Sequence, residues 1–326
     1  MPQTPTASVP TRTRRLLRAV AVAACLPYLG LKTAWVAGSQ LGIPAGSPLL
    51  DHRVALAVAN ALTILMDGAV IMLVLLLTRP WGRAVPAWLL TAPMWVATGL
   101  LAPVMAGYPL QLLLDVLGGG GGGGDGEPFL DGWVFAVVYG GFIVQGLALG
   151  ALFALYARDR WGHLWRGRTG DRRAGAAGRA GQRALVAAAS VLVLFPLTLR
   201  VVWACGGTVG LTADAVADRG GDARVLDGLY VAFLLAAVAG AWALVRRRAP
   251  GPSVRVPLAA ALVGSAAVAC WGGWMTAAAL LAPGDAADRP TALTLLTYAG
   301  QMTVGLLVTA VCVRFLAARP ARLPAA

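Results

Sequence analysis

Apolar residues run through this chain in long unbroken stretches, without the strict alternation or one-faced stripes of a soluble fold. A helix needs about 20 mostly apolar residues to cross a bilayer. Eight stretches meet that length: about 19–43, 54–78, 85–107, 129–157, 185–211, 225–245, 256–282 and 291–316. Their length and continuity predict helices rather than barrel strands, because hydrocarbon offers no partner to an open backbone. The expected fold is an all-α membrane protein with eight transmembrane helices.

The polar breaks between these stretches set the orientation. With the N-terminus inside, twenty-one arginines fall on the inner side and four on the outer side. The excess follows the positive-inside rule at every pair of loops. Acids fall the other way, with only Asp159 and Asp171 inside. The expected topology is N-in/C-in in the plasma membrane, with the lipid bilayer as surroundings. The expected organisation is a cytoplasmic tail over 1–18, a first four-helix repeat over 19–157, an Arg/Gly-rich cytoplasmic linker over 158–184, a second repeat over 185–316 and a cytoplasmic tail over 317–326. Val22–Cys25 has the look of a lipoprotein cleavage box, but its apolar stretch starts only six residues earlier and continues past the cysteine. That stretch is read as an uncleaved first span.

The repeat itself rests on self-similarity. Lys32-x-x-Trp35-x-x-Gly38-x-x-x-Gly42 returns as Arg200-x-x-Trp203-x-x-Gly206-x-x-x-Gly210, at a constant offset of 168. Asp51-x-Arg53-Val54 returns as Asp222-x-Arg224-Val225, Leu100-Leu101-Ala102-Pro103 as Leu280-Leu281-Ala282-Pro283, and Tyr139-x-Gly141 as Tyr298-x-Gly300. Four matches in one order imply a duplicated four-helix unit. An even helix count makes the two copies parallel.

Composition narrows the function classes. The chain is 58% hydrophobic and 13% charged with a net charge of +13, and its mean hydropathy is +0.72. Soluble domains carry about 25% charged residues. Lys32 is the sole lysine beside twenty-six arginines, a pattern of GC-rich coding, so the basic balance implies no nucleic-acid partner. Cys25, Cys205, Cys270 and Cys312 lie in apolar runs, and His52 and His163 are far apart, which implies no metal site and no cofactor. The glycine run Gly118–Gly124 lacks the strand and Lys-Ser/Thr context of a phosphate loop and reads as a linker. No catalytic constellation is present at membrane depth, so an enzyme is not expected.

The candidate site comes from charges inside the spans. Lys32, Asp67 and Arg200 each cost about 2.5–3.5 kcal/mol at a helix centre, and helix geometry allows their heads to meet at one depth. If Asp67 serves one cation, the other lacks a carboxylate, and a small anion or anionic headgroup would fill its place. Replacing Lys32 and Arg200 should then abolish binding. Beside them, Trp35, Gly38, Gly42, Trp203, Gly206 and Gly210 read as helix-packing stripes. Asn60, Thr63, Gln145, Gln301, Thr303, Tyr139 and Tyr298 read as interhelical hydrogen-bonding groups. Two functions fit: a transporter or permease-like carrier with a central site between the repeats, or a non-catalytic accessory or scaffold protein whose buried charges hold the bundle. The paired cation-x-x-Trp-x-x-Gly spans, the connection from Thr78-Arg79-Pro80-Trp81-Gly82-Arg83 to Trp88 and the arginine bias resemble uncharacterised multi-spanning integral membrane proteins of actinobacteria. That resemblance implies no particular activity.

Overall fold

In a computed structural model of the chain, residues 11–45, 47, 53–118, 130–164, 176–246, 253–281 and 289–319 are described. Residues 1–10, Asp51, His52, 119–124 of the glycine run, 165–175 of the linker, Ala282 and Pro283, and 320–326 lie outside that set. The helices are α1 (Thr11–Val36), α2 (Arg53–Thr78), α3 (Ala87–Val116), α4 (Gly132–Trp161), α5 (Ala176–Leu192), α6 (Leu194–Ala204), α7 (Ala213–Ala217), α8 (Gly221–Val245), α9 (Arg255–Leu281) and α10 (Ala292–Ala317). No strand occurs among the described residues. Eight spans are long and apolar enough to cross a membrane, with α5 and α6 sharing one over Ala180–Ala204. Among the described residues the regular structure is thus all helical, and the eight apolar spans fit a polytopic membrane protein.

Side chains agree with lipid as the solvent. Leu65 is 71% exposed, Leu147 61% and Leu306 51%, all in the middle of apolar helices. Water would penalise such residues by about 1.5–3 kcal/mol each; hydrocarbon does not.

Several ends differ from the sequence reading. α1 starts at Thr11, before the expected residue 19, and stops at Val36, before the expected residue 43. α5 starts at Ala176 and α6 stops at Ala204, against an expected 185–211. Each early stop has one cause, a left-handed glycine described below. The break at Val193 comes from Pro196, which has no N–H for the carbonyl four residues back. Val193 keeps helical dihedrals, φ −65 and ψ −25, so the break interrupts bonding without ending the span.

The chain forms two compact units, Met1–Ala97 with Glu127–Arg160 and Thr98–Gly126 with Trp161–Ala326. The division falls within α3, so its C-terminal part groups with the later helices. In the first unit, α1 packs along α2, and the core includes Ala21, Cys25 and Tyr28 of α1 with Val74 of α2 and Leu149 of α4. In the second unit, α9 lies between α8 and α10, and 56% of its apolar window is buried. Small residues permit that enclosure. A Cβ on Gly264 would come 2.6 Å from the Phe233 carbonyl, and one on Gly305 would come 2.5 Å from the Ser265 carbonyl.

Candidate functional site

Two helix ends hold the candidate cations. After α1, Ser39 N–H bonds Ala34 O at 2.9 Å and Gly38 N–H bonds Trp35 O at 3.0 Å. After α6, Gly207 N–H bonds Val202 O at 2.8 Å and Gly206 N–H bonds Trp203 O at 3.1 Å. This is the Schellman closure, which needs a left-handed residue just past the helix. Gly38 and Gly206 supply it, both at φ 92. The tryptophans then lock the turn: Trp35 Nε1–H donates to Leu41 O at 2.8 Å, and Trp203 Nε1–H to Val209 O at 2.9 Å. Gly42 and Gly210 are left-handed too, at φ 75 and 76. Gly42 O accepts from Asp131 N–H at 2.9 Å, and Gly210 O accepts from Thr294 Oγ1–H at 3.0 Å.

These four glycines lie in turns beyond the helix ends, and Gly42 and Gly210 also pack closely there: a Cβ would overlap the Val134 side chain at Gly42 and that of Leu293 at Gly210. Lys32 and Arg200 each stand four residues before the end of their helix, about 6 Å along the axis. Lys32 therefore lies near the end of its helix and not at the helix centre expected of it.

In the first unit, Lys32 and Asp67 come together. Lys32 Nζ lies 3.2 Å from Asp67 Oδ2, and both residues are buried. Tyr28 OH donates to Asp67 Oδ1 at 2.9 Å. The Gln145 amide sits 2.7 Å from the same hydroxyl. One phenolic proton cannot serve two acceptors, so the amide must turn its NH₂ toward the phenol for both bonds to form. Lys32 Nζ also lies 4.7 Å from the centroid of the Tyr28 ring and 5.6 Å from that of Phe142. One cation, one carboxylate and their hydrogen-bond partners make a closed, charge-balanced cluster.

In the second unit, Arg200 has a carboxylate of its own. Its Nη1 donates to Asp227 Oδ1 at 2.5 Å and its Nη2 to Gln301 Oε1 at 2.9 Å. The other Asp227 oxygen pairs with Arg219 Nη2. The expectation that one cation lacks a protein carboxylate is thus corrected. Asp227 lies within α8 and is only 2% exposed. Three rings surround the guanidinium: Tyr230 at 4.4 Å, Trp203 at 5.4 Å and Tyr298 at 5.6 Å.

The second cluster is not balanced. Two guanidiniums share one carboxylate. Arg200 Nε, Arg219 Nε and Gln301 Nε2 are buried donors without an acceptor among the described residues. Buried donors left in that state cost about 1–3 kcal/mol each. Such a cluster has the chemistry to take an anion.

Gln145 and Gln301 make bonds between helices, as expected. Asn60, Thr63 and Thr303 instead bond carbonyls of their own helices, at Leu56, Asn60 and Ala299. Tyr28, Arg219 and Asp227 were missed. The first hides in an apolar run, and the other two look like loop charges until α8 folds. Compared with known proteins, the chain matches no family model, no curated relative and no solved structure.

Proposed function

We propose that the protein is a duplicated four-helix membrane carrier that binds a small anion in its second unit. In this reading both termini are cytoplasmic in the plasma membrane, following the arginine bias, and the chain is kin to the actinobacterial proteins it resembles. The recurrence of the cation, tryptophan and left-handed glycines at one offset supports the duplication.

The observation that carries the anion reading is the excess of cation and donor around Asp227. Arg200 and Arg219 outnumber their carboxylate, and the buried Gln301 Nε2–H adds a neutral donor. A carboxylate or phosphate oxygen would meet that excess, since fixed guanidinium forks bind such groups in directed pairs. Lys32 then acts structurally, because Asp67 and Tyr28 already answer it.

The accessory reading is favoured by one observation, the closed Lys32–Asp67–Tyr28–Gln145 cluster, which holds three helices without needing a ligand. Flux in proteoliposomes separates the two. A panel of radiolabelled small carboxylates and inorganic phosphate is offered to wild type, Arg200→Gln and the double variant Lys32→Gln/Asp67→Asn. Carrier function predicts uptake of at least one anion, lost in Arg200→Gln and kept in the double variant. No uptake by the wild type, or equal uptake in Arg200→Gln, favours the accessory role.

A further inference from the structure

The connection after α2, singled out in the sequence for its Thr78-Arg79-Pro80-Trp81-Gly82-Arg83 run, takes no part in either buried cluster. It is nevertheless a built structure. Pro80–Arg83 forms a single 3₁₀ turn folded back on the end of α2. A Cβ at Gly82 would overlap the Leu76 carbonyl, so only glycine allows that closeness. Tyr156 OH donates to Gly82 O at 3.0 Å, and Arg160 Nη2 donates to Val85 O at 3.0 Å. α4 thus clamps the connection at Gly82 and at Val85.

The clamp frames a cavity of about 530 Å³ within the first unit. Arg14, Arg79, Arg83 and Arg160 line it against a single carboxylate, Asp159. Asp159 is already engaged by Arg14 and, at 3.5 Å, by Arg158. Arg79 and Arg83 make no ion pair among the described residues. The cavity therefore carries an excess of three positive charges, on α1, α4 and the clamped turn. A multiply charged oxyanion answers that excess better than a single carboxylate, since its several oxygens can take more than one guanidinium fork.

The surroundings point to a lipid. Trp81 is 50% exposed and Trp88 68% exposed; Trp81 lies in the turn and Trp88 opens α3. Exposed tryptophans at the end of an apolar helix mark the headgroup level of a bilayer. Leu77 and Pro80 add an apolar wall, which suits the ester end of a lipid rather than a free ion. Basic pockets between membrane helices bind anionic headgroups by this combination. We infer that this cavity binds the phosphate group of an anionic phospholipid, with Arg79 and Arg83 as the principal contacts. The ligand chemistry is phosphate, and a soluble phosphate is the competing source.

The test uses the full chain in detergent and native mass spectrometry with added phosphatidylglycerol or phosphatidylcholine. The expected result is one retained phosphatidylglycerol per chain, with apparent affinity lower by about tenfold or more in Arg79→Gln/Arg83→Gln. Arg12→Gln/Arg15→Gln removes the same charge from the same end of the unit, outside the cavity, and should change retention less than about twofold, given how weakly isolated surface charges act. Inorganic phosphate at millimolar concentration should not displace the lipid. Equal retention in the Arg79/Arg83 variant, or equal loss in both variants, overturns the site. Inorganic phosphate bound in place of lipid, with the same arginine dependence, overturns the lipid source. Arg79→Lys/Arg83→Lys keeps the charge and guards against a folding defect: partial retention supports the site, and wild-type retention argues against fork-specific contacts.

Discussion

A carboxylate in a lipid-embedded bundle persists only with a cation beside it, and Asp67 and Asp227 meet that demand differently. Asp67 serves one ammonium and one phenol; Asp227 serves two guanidiniums. Removing Asp227 as Asp227→Asn leaves the buried Arg200 and the partly buried Arg219 unneutralised and should lower stability by about 3–5 kcal/mol. Lys32→Gln/Asp67→Asn removes both charges of a balanced pair and should change stability far less, since neutral replacements of buried pairs are often tolerated. Tyr28→Phe loses one donor to Asp67 and should fall between, at about 1–3 kcal/mol. Unfolding in mixed detergent with increasing denaturant ranks the three; an Asp227→Asn variant as stable as wild type would contradict the assignment. Lys32, Asp67 and Arg200 were legible in the sequence because charges interrupt apolar runs. Asp227 was not, since nothing local distinguishes a carboxylate in the first turns of a helix from one in the loop before it.

The helix ends teach a related lesson about elements. Gly-x-x-x-Gly is spelled alike whether it lets helices touch or turns the chain out of a helix, and only the backbone decides. Here Gly38 and Gly206 are left-handed, whereas Gly264 and Gly305 lie inside helices against the backbone of a neighbouring helix. The eight apolar runs were legible because span length is set by bilayer thickness; their ends were not, because a Schellman turn depends on one residue's φ. Gly206→Ala should therefore cost about 1–3 kcal/mol through left-handed strain. Gly206→Asn should cost less, since asparagine tolerates that region better. A thermal unfolding series in detergent checks the order; equal stability of Ala and Asn variants would place the cost in packing instead.

At the scale of the whole molecule, the net charge of +13 comes mostly from arginines near helix ends and in the connections between them. The informative part is small and unevenly divided. At the 171-residue offset that relates Asp51 to Asp222, Asp67 corresponds to Val238 and Asp227 to Leu56. The local frame of cation, tryptophan and glycine recurs, but each unit finds its carboxylate at a different height on a different turn. One cluster closes on itself; the other keeps an extra guanidinium and unanswered donors.

Anion binding at Arg200 is the central claim, and equilibrium stabilisation by ligand tests it most directly. The melting temperature of the purified full chain is followed against inorganic phosphate and small carboxylates at constant ionic strength. The expected result is saturable stabilisation by at least one anion, approaching about 2.7 kcal/mol at a hundredfold excess over Kd, absent in Arg200→Gln and intact in Lys32→Gln/Asp67→Asn. Stabilisation that is absent in the wild type, or that survives unchanged in Arg200→Gln, would contradict it.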